Sequence, residues 1–369
     1  MGISAFAVLA FQAVVAGGGS ELPARGIAPP DARLSQLPWE DLDTLAVLGG
    51  GPTWGEPPFY LVSDAVLDND RNIVFLANGG DGEIIRYEIG SGSIESIGRR
   101  GRGPGEFRRL LWMEPHGRDS LLVYDRDLNR FSVFSRSGRF GRAFRVSGTG
   151  LGGRQAATMT RMGTRTWVGV QSGLPPVLLV PETPPGTKER DTLTVFEMDD
   201  EGTALDTLAR VPYALWERLP DTTSFSILRD EDAGGAVIAA GGGRLLLAVL
   251  GDSLEVFVHR GGGSVHEPSP SPFMPDGMPW RGVSQVFAGR EGAVWIGERT
   301  PTDGSTIFHV FEAISDVWSP IGTLTLDGDV RVLDASQDRV VFLHLDDLGQ
   351  ETVVVARAAG TTIPIASGK

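Results

Sequence analysis

Five arginines stand within residues 99–109, at Arg99, Arg100, Arg102, Arg108 and Arg109. Guanidinium groups at that density can hold an anion, by charge and by their planar fork of donors. The cluster stands out on a chain whose formal net charge is -14. Glu106 lies inside it and offers the plainer outcome, an internal ion pair. The carrier is Gly101–Phe107 (GRGPGEF), where glycine supplies positive φ and proline fixes the turn. Gly49–Phe59 (GGGPTWGEPPF) is a looser copy one repeat earlier, which argues for a structural role.

Other spacings fall short of a site. Asp125–Asn129 (DRDLN) starts like a calcium loop, but the sixth position is Arg130 instead of glycine and the twelfth is Arg136 instead of glutamate. Gly148, Gly150 and Gly153 satisfy G-x-G-x-x-G with no βαβ unit around them. The five histidines (His116, His259, His266, His309 and His344) are scattered, and no P-loop, G-x-S-x-G elbow or H-E-x-x-H occurs. With no cysteine, disulfides, thiolate metal sites and cysteine nucleophiles are excluded. Net acidity and sparse basic stripes argue against nucleic acid.

The elements that position these residues are strands. Ser120–Tyr124 (SLLVY) is a short apolar run, Asp125–Asn129 a turn, and Arg130–Phe134 (RFSVF) a second strand. Leu110–Glu114 precedes them, and Arg142–Val146 follows as a more polar fourth strand. Four antiparallel strands of this length make one propeller blade. The second-strand motif recurs at Asn72–Ala77, Thr166–Val170, Arg244–Leu250, Ala293–Gly297 and Arg339–Leu345. A Val-Phe pair marks the third strand at Val133-Phe134, Val195-Phe196, Val256-Phe257 and Val310-Phe311; Ile84–Tyr87 and Thr352–Val355 fill that slot elsewhere. Ile73, Leu121, Trp167, Leu245, Val294 and Val340 are 48, 46, 78, 49 and 46 residues apart. A period of about 40–50 residues with strand chemistry in each repeat is that of a propeller. The expected fold is all-β: a six-bladed β-propeller of four-stranded antiparallel blades. Thr44–Leu48 (TLAVL) has no blade of its own. It is expected to close the ring as the outer strand of the last blade.

The ends read differently. Residues 3–16 form an apolar run too short to span a bilayer as a helix. Small residues follow it, so 1–19 reads as a secretory signal peptide, although no Lys or Arg precedes the run. Residues 20–40 read as a linker, 41–358 as the propeller and 359–369 as a tail. Export to the periplasm or medium follows, with no membrane span.

Loop lengths sort by position. Turns between first and second strands, and between third and fourth, are short. The other two classes are long, among them 49–59, 98–107, 172–191, 212–235, 266–280 and 298–306. Up-and-down order puts both long classes on one face. Loops carry function more often than frameworks do, so the long-loop face is the candidate binding surface: Trp54, Arg99, Arg100, Arg102, Glu106, Trp112, Trp216 and Trp280. Phe107 and Phe225 also belong to it. Tryptophan is enriched in interface cores; the plainer role for these rings is to plug gaps between blades. No residue is assigned to catalysis or to a metal.

At GPGEF followed by VYDRDLNRFSVFSRSGRF, the chain resembles bacterial six-bladed propellers of the NHL-like group. Asp125, Asn129 and Arg130 stand near the Asp, Asn and Arg of an NHL repeat, with the Asn one place late and Ser135 in place of the final Asp. The resemblance implies the fold more than an activity; many such propellers are exported, and many NHL propellers serve as interaction surfaces. With the loop asymmetry and the absence of a catalytic motif, the expected function is an exported module that binds a protein, peptide or glycan on the long-loop face, without a cofactor. Related gluconolactonase-like propellers hold a divalent cation such as calcium with Glu, Asn and Asp from separate blades. The alternative function it implies is therefore a metal-dependent lactonase or hydrolase. Oxygens that could serve it include Asn78, Asp81, Asp125, Asp252 and Asp346.

Overall fold

A computed structural model describes residues 43–49, 59–145, 147, 155–171, 178, 180, 182–219, 225–228, 235–241, 244–250, 254–259, 283–289, 292–300, 302–314, 317–336 and 339–357. The signal-peptide, linker and tail expectations fall outside them.

β1 (Asp43–Gly49) comes first. The first sheet is the meander β2 (Val62–Asp68), β3 (Ile73–Asn78), β4 (Glu83–Glu88) and β5 (Ile94–Ile97). Two short strands, β6 (Arg99–Arg100) and β7 (Glu106–Phe107), pair in parallel across the GRGPGEF loop. The second sheet is β8 (Leu110–His116), β9 (Ser120–Asp125), β10 (Arg130–Ser135) and β11 (Phe140–Phe144). The third has five strands: β12 (Ala156–Met162), β13 (Arg165–Gln171), β14 (Lys188–Met198), β15 (Ala204–Arg218) and β16 (Phe225–Leu228). The fourth has three: β17 (Gly235–Gly241), β18 (Arg244–Leu250) and β19 (Leu254–His259). The fifth holds β20 (Val283–Ala288), β21 (Ala293–Arg299), β22 (Thr306–Ile314) and β23 (Val317–Leu326). The sixth combines β24 (Asp329–Ser336), β25 (Arg339–Leu345) and β26 (Glu351–Arg357) with β1.

This is an all-β propeller built from small antiparallel blades. The expected six four-stranded blades are corrected in one respect. Among the described residues five sheets have four or more strands, and the fourth sheet has three. Residues 260–282, which follow β19, are outside the described set. β1 pairs antiparallel with β26, from Asp43 opposite Arg357 to Gly49 opposite Thr352.

Burial explains why these strands read as apolar runs instead of alternating ones. Every residue of β3 is buried, because sheets pack face to face on both sides. The core is divided into clusters, each shared by two sheets. Leu121, Val123 and Phe134 of the second sheet meet Phe75, Ile84 and Phe107 on the side of the first. Leu48 of β1, Val74 and Leu76 of the first sheet meet Val341, Leu343 and Val355 of the sixth. Ala239 and Leu246 of the fourth sheet meet Val286 and Ile296 of the fifth. Among the described residues, no helix is long and apolar enough to cross a membrane.

Two expected loops contain strand. Residues 188–198 and 204–218 form one long hairpin, with Lys188 opposite Glu217, so parts of 172–191 and 212–235 are ladder. Asp191 fixes the extension, accepting from Gln171 Nε2 at 2.6 Å and from the Ala214 amide at 3.0 Å.

Candidate functional site

The GRGPGEF loop is held by its own residues. Glu106 Oε1 accepts from Arg99 Nε at 2.9 Å, and Oε2 accepts the amides of Gly103 at 2.8 Å and Arg102 at 3.0 Å. These bonds, the Gly103 amide first and then Arg99, hold the Glu106 carboxyl below its usual range. Arg130 donates to the carbonyls of Arg102, Gly103 and Glu106 from beneath. Phe107 is fully buried between the first and second sheets. Gly98 makes room for it: with φ of 79°, a Cβ there would come within 2.5 Å of the Phe107 ring.

The arginines divide into two sets. Arg99 pairs with Glu106, and Arg100 Nη2 donates to the Gly80 carbonyl at 2.8 Å. The guanidiniums of Arg102, Arg108 and Arg109 are exposed and bond to no described residue. Arg100, Arg102 and Arg108, with Gly101 and Asp127, line an open surface cleft. The internal ion pair expected from Glu106 therefore uses one arginine and leaves a basic surface.

A second feature was not visible in the sequence. The first strands of all six sheets, β2, β8, β12, β17, β20 and β24, line one cavity of about 190 Å³. Five of these strands carry a register shift, ending at Asp64, Trp112, Thr158, Gln285 and Asp334. A bulge re-aims a side chain and breaks the ladder locally. Four of the five use the re-aimed group to bond the backbone of the neighbouring sheet. Asp64 Oδ2 accepts from the Met113 amide at 2.7 Å, and Asp334 Oδ2 from the Leu67 amide at 2.6 Å. Thr158 Oγ1 accepts from Ile238 N at 3.3 Å. Gln285 takes both groups of Val332, accepting from its amide at 2.8 Å and donating to its carbonyl at 2.6 Å. Glu351 adds a bond to the Val62 amide at 2.8 Å.

Three carboxylates, Asp64, Glu114 and Asp334, and one cation, Arg331, line the cavity. Burial, then the nearby Glu114, pushes the Asp64 carboxyl well above the usual carboxylate range, against the pull of the Met113 and Ala65 amides. Burial also raises Glu351, opposed by the Val62 amide and by Arg331. Among the described residues no three His, Asp or Glu side chains stand close enough together to hold a metal ion.

The expected face is partly redistributed. Trp112 is corrected: it stands in β8 at 7% exposure, edge-on to Phe131 in the core between the second and third sheets. It lies within the expected strand Leu110–Glu114, and its ring packs into the core instead of the loop face. Trp216 is also in strand, half-buried, with Nε1 donating to Asp191 Oδ2 at 3.2 Å. Trp54, Trp280 and Asp252 lie outside the described residues. The other candidate oxygens serve turns. Asn78 Nδ2 donates to Asp81 at 2.9 Å, Asp125 accepts from the Arg108 and Leu128 amides, and Asp346 from those of Leu348 and Gln350.

No protein-family model matches this sequence, and no curated protein matches it. Among solved structures the chain is similar to luciferin-regenerating enzyme, with TM-score 0.50 and 11% identity over 86% of this chain and 96% of that one. It is also similar to the β-propeller domain of the Trilobed protease from Pyrococcus furiosus, with TM-score 0.44 and 13% identity over 81% and 82%. A gluconolactonase from Xanthomonas campestris gives TM-score 0.45 and 11% identity over 81% and 87%. Likeness at such identities bears on the fold alone.

Proposed function

We propose that this chain is an exported, NHL-like six-bladed propeller that binds a protein, peptide or glycan partner on its long-loop face. The three-stranded fourth sheet counts as a blade in this reading, because β17 lines the cavity with the first strands of the other five sheets. Ring closure by β1 is supported by its pairing with β26 and by the core shared between the first and sixth sheets. Export rests on the apolar run at 3–16 alone.

One observation carries the functional part. Arg102, Arg108 and Arg109 present exposed guanidiniums that bond to no described residue, on a chain of net charge -14. Charges held at a surface without internal partners steer and orient an oppositely charged ligand. The test is binding of immobilised full-length protein to anionic peptides and sulfated glycans at low and high salt. Salt-sensitive binding that Arg102→Glu with Arg108→Glu abolishes is expected. Equal binding by that variant refutes the reading.

A metal-dependent lactonase is the second reading, favoured by Asp64, Glu114 and Asp334 around the cavity. Weighing against it, both oxygens of Asp64 and both of Asp334 already accept backbone amides. A cation would have to compete with those bonds. Metal content of the purified protein, with melting measured in calcium and in chelator, separates the two. The binding reading expects no shift on chelation; a bound divalent ion whose removal lowers melting favours the lactonase.

A further inference from the structure

Seven large apolar side chains are exposed among the described residues, and three of them lie at the junction of the first and sixth sheets. Tyr60 is 62% exposed, Leu61 45% and Leu348 92%. The bridge from Phe59 to Glu351 sets residues 59–61 beside the β25–β26 turn that carries Leu348. Leu61 is also strained. Its φ of 56° is in the left-handed region, where the Cβ of an L-residue crowds the following carbonyl oxygen. The turn is pinned there by the Gly79 amide on the Leu61 carbonyl at 3.0 Å and the Gly80 amide on the Tyr60 carbonyl at 2.8 Å. A leucine that accepts strain and gains little burial is poorly explained by folding. Strained residues of this kind gather at ligand clamps.

The apolar group adjoins the basic cleft. The Tyr60 ring lies directly on Gly80, where an added Cβ would collide with it. The carbonyl of that same Gly80 accepts from Arg100, the first residue of the cleft. Apolar and cationic groups are thus continuous across one glycine. Tyrosine and arginine are the residue types enriched at binding hot spots.

We propose that Tyr60, Leu61 and Leu348, with Arg102 and Arg108, dock an acidic peptide segment that carries an apolar anchor. The proposal rests on the long-loop-face reading above and narrows it to one partner. Leucine side chains offer nothing to the hydroxyls of a glycan, and a free anion would occupy the arginines without reaching Leu348. Charge supplies the address: Arg102 and Arg108 are exposed cations on a chain of net charge -14, and they attract an acidic segment to this patch.

The experiment uses fluorescein-labelled synthetic peptides and the full chain. One peptide combines an Asp/Glu run with a Phe-Leu anchor, a second has the acidic run alone, a third the anchor in a neutral run. Heparin serves as the glycan probe. The combined peptide is expected to bind at least about tenfold more tightly than either half, a difference of about 1.4 kcal/mol. Arg102→Glu with Arg108→Glu, and separately Leu61→Asn with Leu348→Asp, each weaken it by about tenfold or more. Asparagine tolerates the left-handed backbone, so Leu61→Asn melts at or above the wild-type temperature, which separates lost binding from lost folding. Heparin or the purely acidic peptide binding as tightly as the combined one, with no effect of the leucine changes, overturns this proposal and leaves the long-loop-face reading standing. No anion-dependent binding by any probe overturns both.

Discussion

Replacing Asp334 by alanine removes the clip between the sixth sheet and the first. Its carboxylate is 4% exposed and accepts the Leu67 amide at 2.6 Å and the Ala335 amide at 2.8 Å. The substitution removes the carboxylate acceptor of both buried amides. Hydrogen bonds to a charged group contribute about 1.5–3 kcal/mol each, and an orphaned buried donor costs about 1–3 kcal/mol. Removing a buried carboxylate recovers part of this, so a net loss of about 2–4 kcal/mol is expected. Asp334→Asn keeps one acceptor and loses about half as much. Thr158→Ala is the control, since it removes one 3.3 Å bond and costs at most about 1 kcal/mol. Urea unfolding gives the ranking, and hydrogen exchange gives the place: the Leu67 amide loses protection in Asp334→Ala while β10 amides keep theirs. A loss below about 1 kcal/mol, or unchanged exchange at Leu67, refutes the assignment of Asp334 as an inter-sheet clip.

Two pH effects of opposite sign are expected. Asp64 has a raised pKa in the fold, so stability is greatest below its ordinary value of 3.8 and falls as pH rises through the folded value. Glu114→Gln removes the second cause of that rise and shrinks the difference in melting temperature between acidic and neutral buffer. His116 behaves the other way. Burial, then Arg161, lowers its pKa from 6.5, so stability is present above 6.5 and lost as pH falls below it. His116→Gln flattens that acid-side loss in a pH series of melting curves. Chelation, as above, leaves the melting temperature of the purified chain unchanged.

Much of the architecture was legible because the sheets bury both faces. Runs such as Asn72–Ala77 and Arg339–Leu345 read as unbroken apolar strands, and they occupy β3 and β25 within a residue. Thr44–Leu48 was legible by elimination, as a strand lacking a blade beside a blade lacking a strand. The cavity clips were not. Asp64, Gln285 and Asp334 look like short polar interruptions of an apolar run, and their partners are set by bulges and sheet packing. Asp334 and Leu67 are 267 residues apart, beyond any local pattern. Trp112 lies within the expected strand Leu110–Glu114, but that its ring is taken up between the second and third sheets depends on how those sheets pack. The basic loop was legible in composition only; that Arg99 is paired and Arg102 is not depends on the fold of Glu106 back over the loop.

The most direct test of the long-loop-face assignment is a paired charge reversal. Arg102→Glu with Arg108→Glu is compared with Arg71→Glu, whose side chain pairs with Asp68 and Asp119 in a short-loop turn. Binding of an acidic peptide is measured for both by isothermal titration at two salt concentrations. Loss of binding and of its salt dependence in the first variant, with wild-type values in the second, is the predicted result. Equal loss in both variants, or in neither, contradicts it.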